Sequence, residues 1–94
     1  MIVVRNIFIA KPGNASKLAA QIKDAATAAN MPAFRVLTDL TGDFNRVVLE
    51  YEAADISEFE TRLKEYMSNS VMREKMKGYT DLWITGSREI LQVF

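Results

Sequence analysis

Three charged side chains are the first candidates for chemistry in this chain. Arg5 lies in the apolar run Ile2–Ala10. Arg46 and Glu50 lie four positions apart in the run Phe44–Tyr51. Residues an even number apart on a strand share a face, so a sheet can gather these groups on one side. Guanidinium groups offer paired donors to carboxylate and carbonyl oxygens. The set predicts a site for an anionic or carbonyl-bearing ligand, and the competing interpretation is a salt-bridged cluster.

Uncharged side chains supply the other candidates. Asn6 can polarise a carbonyl or a bound dioxygen species, or it can be an amide satisfied by its neighbours. Trp83 can stack on a flat ligand or anchor a subunit interface. Three tyrosines, Tyr51, Tyr66 and Tyr79, are titratable candidates for proton transfer, but packing with the hydroxyl at a rim is the favoured interpretation of each.

The chain contains no cysteine and no histidine. Nucleophilic machinery built on Cys–His or Ser–His–Asp is therefore excluded. Typical zinc sites, thiolate iron–sulfur clusters and histidine-ligated haem are disfavoured for the same reason. We predict no metal and no cofactor, and any acid–base group must be a carboxylate, a lysine or a tyrosine, or belong to the substrate.

Length and charge restrict the partners. The 94 residues predict a single domain over 1–94. Lys plus Arg and Asp plus Glu both number 12, so no net field attracts nucleic acid. The apolar runs are much shorter than the roughly 20 residues of a membrane span. The N-terminus has no basic region before its apolar stretch. We therefore expect a cytoplasmic protein that binds neither nucleic acid nor membranes.

Periodicity and turn residues predict an order of β-α-β-β-α-α-β. The first half is predicted to contain a strand Ile2–Ala10, a helix from Asn14 or Ser16 to Asn30, and strands Phe34–Leu40 and Phe44–Tyr51 joined by a tight Thr41–Gly42–Asp43 turn. The second half is predicted to contain a helix opened by an Asp55–Glu58 capping box and a short helix Val71–Lys77 ended by Gly78. A final strand Thr80–Phe94 is predicted to break at Gly86–Ser87 and to bulge at Ser87–Arg88–Glu89.

This order is the ferredoxin-like, split β-α-β arrangement of an α+β domain, with a four-stranded antiparallel sheet and both main helices on one face. A buried amide costs less than a buried guanidinium, so we place Asn6 under the helices and Arg5 on the open face. The open face then combines apolar residues with charges, namely Val3, Ile7, Ile9 and Val48 with Arg5, Arg46 and Glu50, and with Trp83 near its edge. Such a face is too apolar for water and predicts a cavity between the sheets of a homodimer.

Three local features accompany the order of elements, namely the Lys11–Pro12–Gly13 turn after the first strand, the short extra helix and the run Gly86–Ile90. Together they resemble the dimeric α+β barrel superfamily, and within it the NIPSNAP-like and antibiotic-biosynthesis-monooxygenase-like small domains. The resemblance implies paired sheets, small-molecule sites between sheet and helices and, in some members, cofactor-independent oxygenation of aromatic substrates. Asn6 and Trp83 sit where oxygenase-type members carry Asn and Trp. The haem-ligating histidine of haem-degrading members has no counterpart here.

These considerations predict a homodimer that binds a small anionic or aromatic metabolite in a sheet-lined cavity. The predicted ligand-binding residues are Arg5, Asn6, Arg46, Glu50 and Trp83. Two alternatives stay open at this point, a cofactor-independent monooxygenase and a structural or regulatory module without catalysis. An RNA-recognition domain is excluded, because its open sheet face needs stacking aromatics on the third strand.

Overall fold

Four strands and three helices follow the predicted order in a computed structural model that describes residues 1–94. Their bounds are β1 Ile2–Ala10, α1 Ala15–Ala28, β2 Arg35–Thr38, β3 Arg46–Ala53, α2 Ile56–Ser68, α3 Ser70–Lys75, one 3₁₀ turn Tyr79–Asp81, and β4 Trp83–Gln92. The strands form one antiparallel sheet in the order β2-β3-β1-β4. The predicted α+β fold, with the helices on one face of the sheet, is confirmed.

The core lies between the helices and one face of β1 and β3. Val4 and Val47 are fully buried there, and Leu18 of α1 packs against them with no exposed surface. Residues directly opposite in an antiparallel pair point to the same side, so the pairs Arg5–Glu50 and Ile7–Val48 lie on the other face. The predicted assignment of the β1 and β3 faces is therefore confirmed.

The last strand differs from its prediction. Pairing with β1 runs without interruption through Gly86 and Ser87, which lie opposite Phe8 and Ile7. The irregularity comes earlier, since Thr85 pairs with Ile9 and Trp83 pairs with Ala10, which leaves Ile84 as the extra residue. The predicted break at Gly86–Ser87 and the predicted bulge at Ser87–Arg88–Glu89 are both wrong, because the single-residue bulge is at Ile84.

This bulge decides where Trp83 points. Side chains alternate along a strand, so one inserted residue moves every side chain beyond it to the opposite face. Trp83 therefore shares the helix-covered face with Ala10, its partner in β1. The prediction that Trp83 lies near the edge of the open face is wrong.

The connection between β2 and β3 is longer than the predicted tight turn. It runs over residues 39–45 and is closed by Asp39, whose carboxylate accepts hydrogen bonds from the Arg46 backbone at 3.3 Å and from Arg46 Nε at 3.0 Å. Asn45 takes a left-handed φ of 65° just before β3. The Asp39 carboxylate thus fixes a seven-residue hairpin connection in place of the predicted Thr41–Gly42–Asp43 turn.

The second helix begins as predicted. The Asp55 carboxylate accepts a hydrogen bond from the backbone N–H of Glu58 at 2.8 Å, and the Glu58 carboxylate accepts one from the N–H of Ala54 at 2.9 Å. Gly78 has a left-handed φ of 80°, but α3 ends before the predicted Lys77, at Lys75 with Met76 as its C-cap, and Gly78 instead precedes the 3₁₀ turn Tyr79–Asp81. These stops and starts set α2 and α3 over the sheet, where they enclose the pocket described next.

Candidate functional site

Two concave regions lie on opposite sides of the sheet. The first, which we call the helix-side pocket, has a volume of about 370 Å³ and lies between the sheet and the three helices. The second, the open-face groove, has a volume of about 420 Å³ and lies on the face that no helix covers. The two differ in chemistry, because apolar side chains dominate the first and charged or hydroxyl-bearing side chains contribute most of the second.

The helix-side pocket is built from apolar residues that the helical and strand periodicities bring together. β1 and β3 form its floor, α1 one wall, and α2 and α3 the rest. Its lining consists of Asn6, Phe8, Ile22, Ala25, Ala26, Met31, Leu49, Tyr51, Leu63, Tyr66, Met67, Met72, Arg73, Met76 and Tyr79. The small alanines of α1 leave room for the space, since both Ala25 and Ala26 are buried.

Asn6 and Tyr51 bring polar atoms to the sheet floor of this pocket. Arg88 of β4 lies opposite Asn6 in register, and its Nε donates a hydrogen bond to Asn6 Oδ1 at 2.7 Å. Burial raises the pKa of the Tyr51 phenol, while the Arg88 guanidinium and the Asn6 amide act in the opposite direction. The phenol therefore stays protonated at neutral pH and can donate a hydrogen bond to a ligand.

An aromatic cluster backs the pocket. The Phe8 ring meets Trp83 edge-on with centroids 5.6 Å apart, and Tyr79 stacks on Trp83 at 6.2 Å with an interplanar angle of 15°. Phe8 and Tyr79 line the pocket, whereas Trp83 does not. The Trp83 ring is thus one layer behind the pocket wall, and its Nε1 is buried without a hydrogen-bond partner.

On the open face, Glu50 is held by two arginines. Arg5 Nε lies 2.8 Å from Glu50 Oε1, and Arg35 of β2 pairs with the other carboxylate oxygen. The Glu50 residue is only 7% exposed. Hydrogen bonds from Arg35 and then Arg5 hold the pKa of Glu50 below its ordinary value, against the opposing effect of burial. The carboxylate therefore stays ionised and neutralises charge on this face.

Arg46 does not join this cluster. Its Nε pairs with Asp39 Oδ1 at 3.0 Å, at the start of the hairpin loop. The sequence pattern missed Arg35, although that residue is opposite Glu50 in the β2–β3 register. Finding Arg35 required knowing how the short strand β2 pairs with β3, and the sequence alone does not fix that register.

The five predicted site residues do not form one site. Arg5, Arg46 and Glu50 lie on the open face, Asn6 faces the helix-side pocket, and Trp83 lies behind that pocket. The charged members are compensated by carboxylates or arginines, in line with the salt-bridge interpretation. Sequence reasoning also missed the two arginines of the pocket region, Arg73 and Arg88. A register that pairs Arg88 with Asn6 would have identified the second.

No group of three or more acidic side chains converges in a way that could hold a metal ion. None of the helices combines the length and hydropathy needed to cross a bilayer.

Comparisons with known proteins find similarity in three dimensions. A scan against protein-family models finds no match, and a search of curated proteins finds none. An uncharacterised NIPSNAP-like domain protein from Burkholderia xenovorans superposes with a TM-score of 0.85 at 18% identity, over 99% of this chain and 84% of that one. A NIPSNAP family protein from Agrobacterium tumefaciens gives 0.84 at 14% identity, over 97% and 90%.

A third solved structure, an antibiotic biosynthesis monooxygenase-like protein from Chloroflexus aurantiacus, gives a TM-score of 0.73 at 15% identity, over 99% of this chain and 93% of that one. Identities this low establish the fold and no activity. The resemblance predicted from the sequence, to NIPSNAP-like and antibiotic-biosynthesis-monooxygenase-like domains, is confirmed at that level.

Proposed function

We propose that this protein binds a small, largely apolar metabolite in the helix-side pocket. The observation that carries the proposal is a cavity of about 370 Å³ with apolar walls and a few polar groups at its sheet floor. Binding pockets have volumes of roughly 300–1,000 Å³ and this combination of lining groups. Phe8, Tyr66 and Tyr79 add aromatic edges and faces, which favour a flat or aromatic ligand body.

The state of the open face supports the same choice. Arg5, Arg35 and Arg46 already have carboxylate partners there. An anion that entered the open-face groove would have to displace Glu50 or Asp39, at the cost of leaving a carboxylate unpaired. The helix-side pocket requires no such exchange.

Calorimetric titration with two aromatic probes of equal shape, naphthoate and naphthamide, tests the proposal. We expect at least one probe to bind with a dissociation constant below about 1 mM. Met72→Trp fills the pocket and should abolish binding. Val71→Trp adds the same ring at the neighbouring residue of α3, which is 49% exposed and outside the lining, and should leave binding unchanged. Absence of binding for both probes contradicts the proposal.

We also propose that the open face packs against a second copy of the chain. Ile7 and Val48 lie side by side on that face, and Leu37 and Leu91 leave 39% and 41% of their surfaces exposed. The ion pairs that Glu50 forms with Arg5 and Arg35 on the same face neutralise charges that would otherwise oppose burial. A second copy brings the same apolar surface and therefore suits this face in a two-fold arrangement.

Sedimentation velocity at micromolar concentration tests the dimer. The expected particle has about twice the chain mass of 10.6 kDa. Leu37→Lys on the open face should produce monomers, whereas Ile56→Lys, at an exposed residue at the start of α2, should not. A wild-type particle of single-chain mass contradicts the dimer.

A cofactor-independent monooxygenase is the second candidate function. It is favoured by the fold shared with the monooxygenase-like protein and by Asn6 and Tyr51 in the pocket floor. The reaction would convert an anthrone CH₂ and dioxygen into a carbonyl and water, with the substrate carbanion as reductant. The position of Trp83 behind the wall weakens this candidate. Oxygen consumption with an anthrone that is lost in Asn6→Ala would establish it.

The remaining alternative is a structural or regulatory module. It predicts a dimer whose helix-side pocket binds neither probe. It also predicts that the protein consumes no oxygen with an anthrone. Because the dimer and the pocket use opposite faces of the sheet, the two sets of measurements are independent.

A further inference from the structure

The six arginines of the chain divide into two groups. Four have a carboxylate partner, namely Arg5, Arg35, Arg46 and Arg62. The other two, Arg73 and Arg88, take part in no ion pair, and both lie at the helix-side pocket or directly beside it. Unpaired guanidinium groups beside an apolar cavity point to a negatively charged ligand.

Arg88 is fixed in position by neutral partners. Its Nε donates to Asn6 Oδ1 at 2.7 Å, and its guanidinium carbon lies 5.3 Å from the centre of the Phe59 ring. Both contacts hold the group without cancelling its charge. The two terminal nitrogens make no hydrogen bond within the chain, so a pair of parallel donors stays free for a ligand.

Arg73 is the single charged residue in the pocket lining. Its Nη2 donates to the backbone carbonyl of Met67 at 3.1 Å, which again leaves the charge uncompensated. No aspartate or glutamate lines the pocket. The cavity is therefore apolar in its body and positive at its polar groups.

We propose that the ligand of the helix-side pocket is an aromatic or other apolar carboxylate, bound by Arg88 together with the Asn6 amide and the Tyr51 hydroxyl. This inference depends on the proposed binding function and specifies its substrate class. The apolar body occupies the space between the sheet and α1. The carboxylate accepts the paired donors of Arg88, and Arg73 adds a favourable charge from α3.

The two naphthalene probes test the inference, because naphthoate carries a carboxylate where naphthamide carries a neutral amide of the same shape. We expect naphthoate to bind at least about tenfold more tightly at neutral pH and low salt. Arg88→Gln should remove most of that preference, and Arg73→Gln should reduce it. Lys23→Gln removes an equal charge from an exposed position of α1 outside the lining, and should leave the preference intact.

The outcomes separate the two proposals. Equal binding of the two probes overturns the carboxylate inference and leaves the binding function standing. Binding of neither probe overturns both. A preference for naphthoate that survives in Arg88→Gln overturns the role of Arg88. Should that variant unfold, Arg88→Lys keeps the charge but loses the paired donors, and an unchanged preference there overturns the same role.

Discussion

Gly86 provides the space in which the Trp83 ring lies. A Cβ atom added at Gly86 would stand 3.2 Å from Trp83 Cζ3 and 3.2 Å from the carbonyl oxygen of Ile7. Gly86 and Trp83 both belong to β4, and the bulge at Ile84 brings them to the same face of the sheet. A glycine that suggests a break in the sequence is therefore a packing position for the only tryptophan of the chain.

We expect Gly86→Ala to lower the free energy of unfolding by about 1–3 kcal/mol, because overpacking forces ring or strand to move. Chemical denaturation measures the loss, and tryptophan emission reports the displacement of Trp83. Ser87→Ala is the control at the neighbouring position, since its side chain lies on the opposite face of the strand, away from Trp83. Equal effects of the two substitutions would contradict the proposed packing role.

Glu50→Gln is expected to destabilise the protein at neutral pH by about 1–3 kcal/mol, because Arg5 and Arg35 lose their charged partner. The arginines lower the folded-state pKa of Glu50 from its ordinary value of 4.5. A carboxyl group whose pKa is lowered by folding stabilises the protein at pH values above its pKa in the unfolded chain. This stabilisation is lost as the pH falls through its pKa in the folded state.

The difference in unfolding free energy between wild type and Glu50→Gln should therefore be largest at pH 7 and should shrink below about pH 4.5. Urea denaturation across this range measures it. Glu52→Gln on the same strand is the control, because Glu52 is exposed and has no ion pair through its carboxylate. A difference independent of pH would show that the Glu50 charge is not what stabilises the sheet.

Helix starts offer a comparison within the chain. The Asp55 carboxylate caps α2 through the N–H of Glu58, whereas Asn14 at the start of α1 makes no side-chain capping bond. We expect Asp55→Ala to cost about 1 kcal/mol in unfolding free energy. Asn14→Ala should cost less than about 0.5 kcal/mol. Thermal denaturation of the two variants distinguishes them, and a reversed order would contradict the assignment of caps.

Tyr51 should make stability fall at high pH. Burial raises its folded-state pKa above the ordinary value of 10.0, so the unfolded chain ionises first. The stabilisation is complete below the unfolded pKa and is lost as the pH rises through the folded value. We expect wild type to lose more stability than Tyr51→Phe between about pH 9 and pH 11. Urea denaturation measures both proteins. If wild type and Tyr51→Phe lose the same unfolding free energy over this pH range, the burial of this phenol is contradicted.

Local sequence signals predicted much of this fold. The β-branched run Ile2–Ala10 became β1 with the same bounds, because strand propensity and alternation both act within a few residues. The capping box fixed the start of α2, whereas the third helix ends at Lys75, before the glycine that was predicted to cap it. The cost of burying a guanidinium also predicted that Asn6, and not Arg5, lies under the helices.

The sequence alone did not predict which residues come together in the candidate site. Which arginine meets which carboxylate depends on strand register, and a shift of one residue moves every side chain to the other face. Arg35 reaches Glu50, Arg46 turns to Asp39, and Arg88 meets Asn6 only because the strands pair as they do. The extra residue at Ile84 likewise sent Trp83 to the helix side.

The residues of this chain thus determined its order of elements and its lack of histidine and cysteine chemistry. Only the tertiary structure decided that the charges of the open face are paired, that Arg73 lines the helix-side pocket without a carboxylate partner, and that Arg88 lies beside this pocket on the Asn6 amide. The reason is physical. Propensity and capping are local, whereas ion pairs and cavities join residues that are distant along the chain and are brought together by sheet register.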